Sequence, residues 1–105
     1  TMLKAKEVFY IAYVERDLDG DLNETSVQLF GSYKDAREQF NKIVEDITTF
    51  WNEQKESGVD VEHDEYHTDA PCDFVSYYEM GYGYSNCSWV QLKSKYVYFD
   101  EEEGE

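Results

Sequence analysis

The first third of the chain carries two runs whose composition is typical of β-strands. Residues 7–16, EVFYIAYVER, are rich in β-branched and aromatic residues on both faces, which predicts a central strand covered on part of each side. In residues 25–32, TSVQLFGS, Val27 and Leu29 alternate with polar neighbours, which predicts a second strand. The Asp-, Gly- and Asn-rich segment between the two runs predicts the turn of a hairpin.

Residues 33–56 show the clearest periodicity in the chain. Their apolar positions recur at the spacings of one helical face, and they are Ala36, Phe40, Ile43, Val44, Ile47, Phe50 and Trp51. Ser32, three residues before Asp35, is typical of a helix N-cap. Gly58 is typical of a helix C-terminus. The pattern therefore predicts one amphipathic helix over residues 33–56.

The second half of the chain predicts fewer and shorter elements. Residues 57–73 are polar and hold the single proline, so they predict a loop with at most a short edge segment. Residues 74–80 predict a strand, and GYGYSN at 81–86 predicts a turn. Residues 88–99 alternate well enough to form one long strand or two short ones.

The order β-β-α-β-β predicts an α+β fold with two layers. In this fold an antiparallel sheet of about four strands carries one long amphipathic helix on one face. At 105 residues the chain is expected to form a single domain over residues 1–99, followed by a solvated acidic tail at 100–105. Aromatic residues make up 17% of the chain, which argues against disorder despite the high charge.

The charge changes which partners are expected. The chain has 24 acidic and 9 basic residues, a net charge of −15. Such a chain repels phosphate backbones and anionic membranes and attracts basic protein surfaces, so direct binding of nucleic acid is not expected. The first fifteen residues, interrupted by Glu7 and Glu15, predict a strand rather than a signal peptide. A cytoplasmic location is the expectation.

The acidic residues of the predicted helix gather on one side of it. On a helical wheel they share an arc of about 100° opposite the apolar face, and they extend over roughly 30 Å. These residues, called the acidic stripe below, are Asp35, Glu38, Glu45, Asp46, Glu53 and Glu56. Asp60, Glu62, Asp64 and Glu65 follow in a segment, 56–92, without Lys or Arg. These ten residues are the predicted contacts for a basic partner.

The leading functional hypothesis from sequence is a non-enzymatic, acidic protein-binding module. One form of it is an inhibitor that occupies the nucleic-acid-binding surface of its partner. In size, acidity and lack of a catalytic motif the chain is similar to small inhibitory proteins of phages and mobile elements. Averaged over the surface, the charge is about fourfold more dilute than that of duplex DNA, so mimicry requires clustering. Solubility alone explains the acidic residues equally well.

A metal-binding domain is the first alternative. Asp17, Asp19 and Asp21 have the spacing that begins a calcium loop, but the glycine and the bidentate glutamate of that loop are absent. The segment therefore predicts a turn, with weak cation binding left open. For zinc, the potential ligands are His63, His67, Cys72 and Cys87. Their spacing does not match that of structural zinc sites, and a Cys72–Cys87 disulfide is left open.

A small-ligand binder that uses exposed aromatic side chains is the second alternative. Residues 77–89, YYEMGYGYSNCSW, hold four tyrosines and a tryptophan around a glycine-rich turn. Exposed tyrosine and tryptophan suit protein, sugar and peptide contacts. The candidate contacts are Tyr77, Tyr82, Tyr84 and Trp89. No phosphate-binding loop, serine elbow or cysteine–histidine pair of recognisable spacing occurs, so neither an enzyme nor a cofactor is expected.

Overall fold

The fold is one helix packed on a five-stranded antiparallel sheet. The structure is a computed structural model that describes residues 3–16, 22–67, 72–81 and 86–100. Its elements are β1 (Leu3–Arg16), β2 (Leu22–Phe30), α1 (Tyr33–Glu56), β3 (Val61–Tyr66), β4 (Cys72–Glu79) and β5 (Cys87–Asp100). The predicted α+β class is confirmed, with five strands rather than four.

The sheet has the strand order β2-β1-β5-β4-β3, and every neighbouring pair is antiparallel. The helix connects β2 at one edge of the sheet to β3 at the other edge, so it crosses the whole sheet. Strand β3, at positions 61–66, is the short edge segment that the sequence left open within the loop predicted for residues 57–73. As an edge strand, β3 pairs with β4 alone, and its polar sequence VEHDEY hides it from a search for apolar runs.

Both ends of the helix lie where the sequence predicts them. The Ser32 hydroxyl accepts a hydrogen bond from the Asp35 backbone N–H at 3.2 Å, which makes Ser32 the N-cap. At the other end Gly58 adopts φ +103°, and the Val59 N–H donates to the Gln54 carbonyl at 3.0 Å. This arrangement is the Schellman motif, in which glycine takes the left-handed conformation at low cost.

The hydrophobic core lies between α1 and one face of the sheet. Its largest fully buried side chains include Trp51 and Phe40 from the helix and Ile11 and Leu92 from the two central strands. The predicted apolar face of the helix is correct except at Phe50, which is 49% exposed. Phe50 lies at the margin of the predicted apolar arc, where it contacts the edge of the Trp51 ring at 5.5 Å between centroids.

Strands β1 and β5 continue beyond the rest of the sheet. Strand β2 pairs with β1 only from Phe9 onward, whereas the β1–β5 ladder extends to Leu3 and Asp100. The described residues accordingly measure 61 × 27 × 17 Å. Within these residues there is no helix with both the length and the apolar character needed to cross a membrane.

Candidate functional site

The two faces of the sheet differ in what covers them. Side chains alternate between faces along a strand, and the register assigns Phe9, Ile11, Tyr13 and their neighbours in space to the side of α1. The opposite side, called the open face, has even-numbered residues of β1, β3 and β4 and odd-numbered residues of β2 and β5. No helix or strand among the described residues packs on it. Val27 and Leu29 are more than 60% exposed there, so β2 turns its apolar side away from the core.

A concave site lies on the open face where β1, β5, β4 and β3 run side by side. It encloses about 850 Å³ and is lined by Val14, Phe74, Tyr78 and Trp89, among others. Ser76 and Cys87 also line it, and both are buried, with 9% and 3% of their surface exposed. Polar groups come from Arg16, Gln91 and Asp64. Apolar walls with a few polar groups are typical of ligand sites.

Aromatic rings form a row across three strands at this site. Tyr66 of β3 stacks on Phe74 of β4 with centroids 5.4 Å apart, and Phe74 meets Trp89 of β5 at 6.1 Å. Tyr66 is 47% exposed, whereas Phe74 and Trp89 are half-buried. The row therefore presents ring surface to solvent while its members hold one another in place.

Burial disfavours ionisation of the Cys87 thiol. Burial raises the pKa of Cys87, and the nearby Arg16 guanidinium lowers it by a smaller amount. Because the thiolate is the nucleophilic form of cysteine, a raised pKa makes a nucleophilic role at neutral pH unfavourable.

Charge on the open face is opposite in sign to that of the whole chain. Five of the nine basic residues have open-face positions, and they are Lys4, Lys6, Arg16, Lys93 and Lys95. Among the described open-face positions of known side-chain placement, only Glu62 and Asp64 of β3 are acidic. Most acidic residues of the described part of the chain therefore lie off the open face.

The predicted partner-binding residues do not form a single surface. All six residues of the acidic stripe are exposed on the helix. Glu62 and Asp64 point to the open face, on the other side of the sheet, whereas Glu65 lies on the α1 side and Asp60 precedes β3. The structure thus keeps the acidic stripe together and separates it from part of the 60–65 segment.

The aromatic residues predicted to contact a ligand differ in where they lie. Trp89 lines the concave site, as described above. Tyr77 lies on the α1 side, is only 8% exposed and stacks on Trp51 and His63, so its ring belongs to the core, while the residue also borders the concave site. Tyr82 and Tyr84 lie outside the described residues.

The potential metal ligands are not assembled into a site. His63 points to the α1 side and Cys87 to the open face, so they cannot share a zinc ion. In the described part of the chain no group of three or more His, Cys, Asp or Glu residues could hold a metal ion. Cys72 pairs with Lys93 in the β4–β5 ladder, and Lys93 lies six positions from Cys87 along β5. Cys72 and Cys87 are therefore about 20 Å apart, which rules out a disulfide between them. Asp17, Asp19 and Asp21 lie outside the described residues.

A second polar cluster lies on the α1 side. The Asp73 carboxylate is buried, accepts a hydrogen bond from Arg37 and lies 3.3 Å from His67 Nδ1. Arg37 also donates to the Tyr33 hydroxyl at 2.7 Å. Burial lowers the pKa of Arg37, but hydrogen bonds to Tyr33 and Asp73 outweigh it, so the pKa is raised overall. The cluster joins the start of α1 to β4.

Sequence reasoning missed most of the concave site, although one signal for it was present. In β1 the three basic residues share even-numbered positions, and in β5 Trp89, Lys93 and Lys95 share odd-numbered ones. This two-residue period indicates a basic and aromatic face once the strands are known to be neighbours.

Comparison of the chain with protein families, with curated proteins and with solved structures finds no match.

Proposed function

We propose that this protein is a non-enzymatic binding module that holds its ligand on the open face, in the concave site beside Trp89. The observation that carries the proposal is the coincidence, on the open face, of a concavity of about 850 Å³ with the Tyr66–Phe74–Trp89 row. This function corresponds to the aromatic-binder alternative and takes precedence over the acidic stripe.

An apolar sheet face that is exposed to solvent is unfavourable in a small domain. A sheet face of a small domain is usually either polar or covered by another layer, since exposed apolar area is unfavourable and promotes association. Here the open face carries apolar and aromatic residues on all five strands, including Val27, Val14, Trp89, Phe74 and Tyr66. A ligand that covers this area gains hydrophobic free energy of about 25 cal/mol for each Å² buried.

The proposal predicts that small aromatic or sugar probes perturb the concave site. The probes are N-acetyl-tryptophanamide, adenosine and maltotriose, each at about 5 mM, a concentration suited to millimolar dissociation constants. In NMR spectra of ¹⁵N-labelled protein they should shift the backbone resonances of Ser76, Trp89 and Gln91. The helix resonances of Glu38 and Glu45 should stay in place. Trp89→Ala should abolish the shifts at Ser76 and Gln91.

Phe50→Ala is the matched control, because it removes an exposed aromatic side chain from the helix. This variant should bind the probes like the unmodified protein. If none of the three probes moves the concave-site resonances, or if Trp89→Ala and Phe50→Ala weaken the shifts equally, the concave site is not a binding site.

The acidic protein-binding module is the second candidate, and the segregation of charge favours it. The six residues of the acidic stripe are exposed along about 30 Å of helix, while most basic residues occupy the other side of the sheet. A basic protein surface, including one that binds nucleic acid, would meet this stripe with complementary charge.

Charge reversal tests the second candidate. One variant replaces four residues of the acidic stripe with lysine: Glu38, Glu45, Asp46 and Glu53. This variant should bind a lysine-rich peptide at least tenfold more weakly in calorimetry, and the loss of affinity should be smaller at high salt. The matched control reverses Glu101, Glu102, Glu103 and Glu105, which changes the net charge by the same amount. Equal weakening by both variants would show that total charge, rather than the acidic stripe, governs binding.

A further inference from the structure

We propose that the ligand of the open face is single-stranded nucleic acid, bound along the central strands β1 and β5. This inference rests on the proposed function, since it uses the same face and names the class of ligand. It also departs from the expectation drawn from net charge, because that expectation considers how much charge the chain carries rather than where the charge lies.

Basic residues recur along the open face of the central strands. Open-face positions of β1 from Lys4 to Arg16 and of β5 from Cys87 to Phe99 include five basic residues and no carboxylate. Fourteen residues per strand extend over about 45 Å. An anionic polymer can follow such a surface for its full length, and OB-fold sheets bind about 4–16 nucleotides in a comparable way.

The aromatic residues on this surface identify what the polymer must carry. Trp89, Tyr10 and Phe99 lie on the same face of β1 and β5, with Phe74 beside them on β4. Lys95 Nζ lies 6.0 Å from the Tyr10 ring centroid, so basic and aromatic groups alternate closely. Bases stack on such rings without need of a particular sequence, because every base has a flat aromatic face.

Two other anionic polymers fit less well. An acidic polypeptide has the charge but no row of flat rings, so the aromatic side chains would go unused. A duplex keeps its bases stacked inside, and it presents mainly phosphates to a flat surface. A single strand supplies both phosphates and accessible base faces.

The charge of the acidic stripe does not prevent this mode of binding at physiological salt. The acidic stripe lies on the outer side of α1, and the helix layer and the sheet separate it from the open face. A sheet and a helix pack about 10 Å apart, so the stripe is about 15–20 Å from a bound strand, roughly two Debye lengths at 0.15 M salt. Its repulsion is therefore largely screened, while the basic residues contact the phosphates directly.

Fluorescence polarisation with labelled single-stranded DNA and RNA dodecamers of mixed pyrimidine sequence tests the inference. We expect both strands to bind, with a log-affinity against log-salt slope no steeper than about −3.5, the limit for five neutralised phosphates. Lys93→Glu/Lys95→Glu should weaken binding at least tenfold. Lys34→Glu/Lys42→Glu places the same charge change on the helix and should change affinity less than twofold.

Three results would overturn the inference: no binding of either strand, equal or tighter binding of the corresponding duplex or of poly-glutamate, or equal loss in the two double variants. The neutral probes used for the concave site separate this failure from that of the proposed function. If adenosine or maltotriose still shifts the Trp89 and Gln91 resonances while the oligonucleotides do not bind, the site stands and its ligand is of another class. If the probes also fail, both proposals fall.

Discussion

Replacing Trp51 with alanine is expected to lower the free energy of unfolding by about 3–5 kcal/mol, the usual cost of removing a buried tryptophan. Trp51 is 1% exposed and is the largest fully buried side chain of the described core. Its indole Nε1–H donates to the buried Ser88 hydroxyl at 3.0 Å, so alanine removes packing and also leaves that hydroxyl without its partner. Urea unfolding followed by circular dichroism measures the change.

Phe50→Ala provides the control. Because the Phe50 ring is half exposed, its removal should lower the free energy of unfolding by less than about 1 kcal/mol. A 105-residue domain has a total stability of about 5–15 kcal/mol, so Trp51→Ala could prevent folding altogether. Trp51→Phe then gives a smaller, measurable loss, because it keeps most of the packing and removes the hydrogen bond. A loss for Trp51→Phe no greater than for Phe50→Ala would contradict the central role of Trp51.

Replacing Arg37 with methionine is expected to destabilise the protein by about 2–3 kcal/mol, because it leaves the Asp73 carboxylate buried without its main partner. Breaking a fully buried ion pair costs about 3–5 kcal/mol, and the smaller value applies because the Arg37 side chain is 28% exposed. His67, 3.3 Å from Asp73, remains to offset part of the loss.

The double variant Arg37→Met/Asp73→Leu separates an unpaired charge from lost packing. Replacing both partners with apolar residues should recover most of the stability, because no buried charge is left without a partner. Urea unfolding of the two single variants and the double variant gives the coupling energy. If the double variant is as unstable as Arg37→Met, the buried carboxylate is not the cause of the loss.

The helix was the most predictable element, for reasons that Ser32, Gly58 and Trp51 illustrate. Caps depend on local hydrogen bonds, and the apolar period of 3.6 residues depends on one face packing against one core. Strand β3 could not be predicted in the same way. Residues 61–66 are polar because most of their side chains remain in solvent, and only their backbone pairing with β4 makes them a strand.

The open face shows the corresponding limit for the candidate site. Arg16 and Asp64 are distant in sequence, and they border the same concavity only because β1, β5, β4 and β3 are adjacent. The sequence contains the alternation of basic and aromatic residues but not the strand order that joins β1 to β5. Total charge does not report this arrangement for the same reason, since it averages the acidic stripe with the basic residues on the opposite side of the sheet.

The pairing of Leu3 with Asp100 has a consequence for engineering. Antiparallel partners lie about 5 Å apart, so both ends of the described chain leave the sheet at one point. A short glycine–serine linker could join them, and new termini could be opened at the surface turn 57–60 without breaking a strand pair. By the same geometry the whole domain can be inserted into a single surface loop of a carrier protein, with its two junctions side by side.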